Sequence, residues 1–147
     1  MRGSWYPDEF PNLNESNHNI ASEATPEYNC FSWAAGDTSR RWEPDSMNLY
    51  YWPPGVPRDM TMEAFIRAYG AIGYEPCDTL EAEAGCERIV LYADSYETPT
   101  HAARQLPNGN WTSKLGDLED IEHFELTCLE GPTYGKVSRS LRRKERP

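Results

Sequence analysis

Apolar residues keep a helical period most clearly in one stretch. Met62, Phe65, Ile66 and Tyr69 fall at i, i+3, i+4 and i+7, the spacing of one buried helix stripe. Asp59 or Thr61 precedes the stripe and Gly70 ends it, so a helix is predicted over 59–70. Elsewhere the pattern is that of strands. Glu87-Arg88-Ile89-Val90-Leu91-Tyr92-Ala93 reads as a buried central strand. Thr100–Leu106 and Trp111–Leu115 flank Pro107-Asn108-Gly109-Asn110, and Asn-Gly is a strong hairpin signal. A two-residue turn places Ala103 opposite Lys114. A three-residue turn places it opposite Ser113, and Ser113 then shares a face with His101. Together with 88–93 this hairpin makes an antiparallel meander. Shorter signals predict a strand near 72–75, an acidic helical turn at 118–123, a strand at 124–129 and a last, edge strand over 134–142, whose charges would discourage pairing.

The stretches between are polar or broken by proline. Residues 1–24 hold Trp5, Tyr6 and Phe10 among Pro, Asn, Glu and Ser and read as an extended arm with little regular structure. Residues 37–58 carry Trp42, Tyr50, Tyr51 and Trp52, then Pro-Pro-Gly-Val-Pro. The prolines exclude a central strand and favour a rigid loop. Its aromatics either cover the core as a lid or line a cleft for a peptide or sugar. Between arm and loop, residues 25–36 offer two helix starts. Thr25 can cap with Pro26 in the first helical position, or Asn29 can cap with Cys30 first, and Gly36 ends the helix in both cases. At 147 residues, the chain has length for one domain, here 25–147, preceded by the arm.

Composition narrows the function classes. Net charge is −10, divided unevenly. Residues 136–147 carry six Lys/Arg and one Glu, against eight Lys/Arg and twenty-three Asp/Glu in 1–135. An acidic body repels phosphates, so nucleic acid is not the expected partner. The basic tail is expected to fold back on the acidic body. The four cysteines form no CxxC pair and there are three histidines, which gives no zinc pattern, and no metal or cofactor is expected. A Cys77–Cys86 disulfide fits a loop over 77–86, although nothing requires it. The chain shows no apolar run of signal-peptide or membrane-span length. The expectation is a cytoplasmic protein with reduced thiols, with a non-classical export route as the other possibility.

Two stretches carry candidate chemistry. Asn29-Cys30-Phe31-Ser32-Trp33-Ala34-Ala35-Gly36 places a cysteine at a potential helix start, where thiolate is stabilised. His101 opens the hairpin beside Ala102 and Ala103, small residues that let another element approach. A thiol nucleophile needs such a base, and the base needs an orienting group. Ser113 and Asp117 are the candidates for that third role. The competing reading of Cys30 is a buried cysteine on a packing helix.

In this order and spacing the chain resembles small papain-like cysteine hydrolases, the class that includes NlpC-like endopeptidases and CHAP amidases. Thr100–Gly116, with Glu119-Asp120-Ile121-Glu122-His123 and Tyr134-Gly135, is also similar to an uncharacterised family of small bacterial proteins with that layout. The resemblance implies an α+β, papain-like (NlpC-like) fold with short N-terminal helices packed on an antiparallel meander. It implies Cys-His cleavage of an amide bond in a peptide or peptidoglycan stem. Cys30 would be the nucleophile and His101 the base, Ser113 or Asp117 the orienting residue, and Asn29, Trp33 and Trp52 would contact substrate. The alternative expectation is a non-catalytic, acidic protein-binding or immunity-type module whose contact surface is the aromatic loop 42–52.

Overall fold

The computed structural model describes residues 9–81, 83–116 and 118–144. Trp5, Tyr6 and Asp117, singled out above, lie outside the described residues. The elements in chain order are β1 (His18–Ser22), α1 (Cys30–Ala34), α2 (Met62–Gly70), β2 (Glu75–Cys77), β3 (Cys86–Ala93), β4 (Pro99–Gln105), β5 (Trp111–Lys114), β6 (Asp120–His123), a 3-10 helix (Leu126–Leu129) and β7 (Lys136–Lys144). All seven strands form one sheet in the order β1-β6-β5-β4-β3-β7-β2, with every pairing antiparallel.

This corrects the expected α+β, papain-like class. The protein is mainly β, and its helices are five and nine residues long. The arm is corrected as well. Residues 18–22 form an edge strand, with His18 opposite His123 and Ile20 opposite Ile121, and Phe10 and Leu13 are buried. The acidic 118–123 stretch is strand β6, and 124–129 holds a 3-10 helix in place of the expected strand. β7 is not an edge. It lies between β3 and β2, because its charges meet acidic partners: Arg142 pairs with Glu83, Arg143 with Glu87 and Arg139 with Glu97. The predicted fold-back of a basic tail on an acidic body takes this form.

Each face of the sheet carries its own core. On one face α1, α2 and the 42–56 loop bring Cys30, Phe31, Trp42, Trp52, Phe65 and Tyr69 onto Ile89, Leu91 and Ala102. On the other, the segment before β1 and the 3-10 helix bring Phe10, Leu13, Cys128, Leu129 and Tyr134 onto Val90, Tyr92, Ala103, Trp111 and Ile121. Alternation along β3 and β4 sends neighbouring residues to opposite faces, and this parity decides the fate of the predicted site.

Among the described residues no helix is long and apolar enough to cross a membrane, and no group of three or more His, Cys, Asp or Glu is placed to hold a metal ion.

Candidate functional site

Asn29 is the N-cap and Cys30 the first helical residue of α1, the second of the two starts read from the sequence. The Asn29 side chain accepts from the Ser32 N–H at 3.0 Å, and the Ser32 hydroxyl accepts from the Asn29 N–H at 2.9 Å. This reciprocal capping box satisfies two orphan donors. The Asn29 side-chain amide also donates to the Trp42 carbonyl at 2.9 Å. Both ends of the Asn29 side chain are therefore committed to structure and do not face a substrate.

The cap does not make Cys30 a nucleophile. Its sulfur packs among Phe31, Ala34 and Ala102, and burial pushes the thiol up to about 12, more than its nearby backbone donors lower it. His101 is adjacent to Ala102 in β4 and so points to the opposite face. There it stacks on Tyr134 with ring centroids 4.0 Å apart and meets the edge of Tyr92 at 5.2 Å. Neither of its ring nitrogens has a hydrogen-bond partner. The structure does not bring Cys30 and His101 together, because the sheet lies between them.

The hairpin takes the three-residue turn. Arg104 pairs with Thr112 and Gln105 with Trp111, which sets Ala103 opposite Ser113. Ser113 does share the His101 face, but it is bonded to another imidazole, with its hydroxyl 2.8 Å from His123 Nε2. His123 Nδ1 donates to the Glu125 carbonyl at 2.9 Å, leaving Nε2 to accept from Ser113. Ser113 and His123 are both fully buried, so this pair holds β5 to β6 and offers no nucleophile to solvent. Trp33 donates from its indole N–H to Thr112 at 3.0 Å and stacks on Tyr28. Trp52 is buried against Phe65 and donates to the Pro57 carbonyl.

The 42–52 loop is where apolar groups reach solvent. Its base is closed by Glu43 N–H to the Tyr51 carbonyl at 3.0 Å and Tyr51 N–H to the Arg41 carbonyl at 3.2 Å, the closed-ended form of a compact surface loop. Asp45 accepts from the backbone N–H groups of Leu49 and Tyr50. Arg58 pairs with Asp45 at 3.0 Å and donates to the Tyr50 carbonyl at 2.9 Å. These bonds hold the Asp45 carboxyl below its usual range, the Leu49 N–H foremost. Asn48 takes the left-handed conformation, φ 58°, which asparagine tolerates. With Arg58 tied back to it, the result is a pinned segment over 43–60, with Met47 75% and Leu49 74% exposed, and with Tyr50 and Met60 exposed as well. Trp42 and Trp52, the residues that drew attention in the sequence, point inward, as the core-cover reading required. Met47 and Leu49 were missed because Asp45, which turns the chain and leaves them outside, looks like an ordinary loop acid.

With that geometry described, comparison with known proteins adds one finding. The profile of a family described as Domain of unknown function (DUF7689) matches residues 19–142. The chain belongs to that family. No curated protein and no solved structure matches it. The DUF7689 match runs from β1 into β7 and includes both helices and the pinned loop.

Thiol chemistry in this DUF7689 domain should follow burial. All four cysteines are free, Cys30 and Cys128 buried, Cys77 and Cys86 partly exposed. The considered Cys77–Cys86 bridge is absent, since the two lie opposite Ser140 and Lys144, four residues apart along β7. A thiol at about 12 is ionised in roughly one molecule in ten thousand at pH 8. Iodoacetamide followed by peptide mass mapping should label Cys77 and Cys86 first and reach Cys30 only in denaturant. Preferential labelling of Cys30 in the native protein would restore the thiol-nucleophile reading.

Proposed function

We propose that this chain is a non-catalytic protein-binding module that docks its partner through the pinned loop 43–60. The observation that carries this reading is the exposure of Met47 and Leu49 on a loop held in shape by Asp45 and Arg58. Large apolar side chains left in water on a pre-ordered loop are a feature of recognition surfaces, because binding buries them with little further ordering. The surroundings indicate the kind of partner. Over 37–63 the chain carries Asp37, Glu43, Asp45, Asp59 and Glu63 against Arg40, Arg41 and Arg58; these pair with Asp37, Glu43 and Asp45 in turn, which leaves the surface acidic by two charges. A partner with an apolar pocket rimmed by Lys or Arg suits this surface. Binding is favoured over amide hydrolysis because Cys30 and His101 are buried on opposite faces of the sheet and Asn29 is used up in capping.

The test compares three immobilised proteins in a pull-down from cells of the source organism: the wild type, Leu49→Asp, and Leu80→Asp as a control at an exposed apolar position outside the loop. Both variants should melt within about 2 °C of the wild type. A protein retained by wild type and Leu80→Asp, lost with Leu49→Asp and released by raised salt, is the expected result. Retention by Leu49→Asp as well, or no protein retained specifically by the wild type, would overturn the reading.

A further inference from the structure

All three histidines of the chain are buried, and all three lie on the sheet face opposite the two helices. His18 and His123 face each other across β1 and β6. His101 shares that face and is electrostatically coupled to His123. Above them lies a cover made of two segments, residues 9–17 and residues 124–135. The Asn12 side-chain amide donates to the Thr127 and Glu130 carbonyls at 3.2 Å each. Phe10 packs on Tyr134 with ring centroids 5.2 Å apart, and Tyr92 donates to the Leu126 carbonyl at 2.7 Å. Each histidine touches this cover directly: His18 donates to the Asn14 carbonyl at 2.7 Å, His123 to the Glu125 carbonyl, and His101 stacks on Tyr134.

The geometry points to an acid-released cover: in mild acid residues 9–17 and 124–135 detach from the sheet, while the face carrying α1 and α2 stays packed. A protonated imidazole is disfavoured at His101 and His123, where burial opposes the charge. His101 is fully buried and has no hydrogen-bond partner among the described residues for either nitrogen, and a charge there has no counter-ion in contact with it. The titratable and charged groups coupled to His101, His123 and the tyrosines around them come from every element packed there, including Cys30 of α1, which acts on Tyr134. Tyr92 comes from β3, His18 from β1 and Glu9 from the segment before it, Tyr134 from the turn before β7, and Cys128 and Glu130 from the 3-10 region. Glu122 and Glu125 flank His123. Glu130 is occupied in accepting from the Val137 N–H at 3.1 Å. Burial holds the His123 ring down at about 4, outweighing the Glu125 carbonyl and Glu122, which favour its cation, while His18 opposes it. His101 is held well below the ordinary histidine range, again by burial first and by His123 second.

The sign follows from linkage. Both groups bind protons more readily when exposed, so the open form gains protons on acidification and the closed form does not. With an exposed value near 6.5, each ring multiplies the open population by at most about 25 between pH 7 and pH 5, and the two together by at most roughly 600. The effect begins as pH falls through about 6.5, before most carboxylates titrate. Opening would bare Val90, Ala103, Trp111, Leu115 and Ile121.

Amide hydrogen exchange on the full chain at pH 7 and pH 5, corrected for intrinsic rates, tests this. Peptides from 9–17 and 124–135 should lose at least 100-fold of their protection, and those from α1 and α2 less than tenfold. Equal loss everywhere, or none, would overturn the proposal. His101→Phe keeps an aromatic ring against Tyr134 and removes the titration, so the loss should shrink by up to about 25-fold. If that variant is unfolded at pH 7 by circular dichroism, His123→Gln, which can still bond Ser113, replaces it. A full-sized loss in a folded histidine variant would equally overturn the proposal.

Discussion

Gly135→Ala should be the most damaging alanine substitution at any described glycine, lowering stability by on the order of 4 kcal/mol or more and leaving little folded protein at 37 °C. Gly135 exchanges two backbone hydrogen bonds with Gly131, at 2.8 and 3.0 Å, in the turn that delivers Tyr134 onto His101. Its φ is +73°, and a Cβ there would lie 2.0 Å from the Ala93 carbonyl oxygen and 2.8 Å from its carbon. The obstacle is the backbone of β3, which β7 joins one residue later where Lys136 pairs with Ala93. A flexible side chain could move aside, but a central strand cannot. Gly85→Ala is the matched control, since its φ is +77° and nothing lies within 4 Å of its Cβ position. That variant bears only the left-handed penalty, about 1–2 kcal/mol. Urea unfolding of both separates backbone conformation from close approach. Equal losses would show that β3 and the 131–135 turn are not in contact as described.

What the sequence revealed depended on whether burial left a periodic trace. Helix α2 was legible because Phe65 and Tyr69 meet the sheet at helical spacing and Thr61 caps the helix, accepting from Ala64 N–H at 3.2 Å. β3, β4 and β5 were legible from their apolar runs and the Asn108-Gly109 turn. β6 was not, because Asp120 looks like a surface acid. It is fully buried, and one of its oxygens accepts from Tyr28 at 2.7 Å and from Ser22. β1 was hidden for a similar reason, since four of its five residues are exposed. The helix start at Cys30 was one of two that the sequence left open, and the face occupied by His101 left no trace in it. That depends on β4 passing under α1 with Ala102 uppermost, a matter of one residue of parity. The resemblance to papain-like hydrolases rested on the order of Cys and His along the chain, and chain order does not record on which side of a sheet a side chain lies.

The same point separates the two readings of Trp52. As a substrate-binding residue it would be lost with little effect on stability. As the core residue described here it should cost about 3–5 kcal/mol when replaced by alanine, and so should Phe65. Phe65 is fully buried. It meets Trp52 edge-on with ring centroids 4.9 Å apart and Phe31 at 4.7 Å. It therefore joins α2 to both α1 and the proline-rich end of the loop. Removing either ring leaves a void that the capped helix and the Pro53–Pro57 segment are too constrained to close, and the deletion should be felt nearly in full. The two rings also interact directly. Phe65→Ala, Trp52→Ala and the double variant, unfolded in urea, should show a coupling of about 0.5–1.5 kcal/mol, the usual worth of an edge-to-face aromatic pair. Strict additivity would mean that the rings do not touch. A Trp52→Ala variant of unchanged stability would mean that Trp52 is free to face a ligand. If the coupling is found, loop 43–60 is anchored to the helical core from beneath as well as pinned by Asp45 and Arg58 from above, and such a base lets Met47 and Leu49 be presented to a partner without first being ordered.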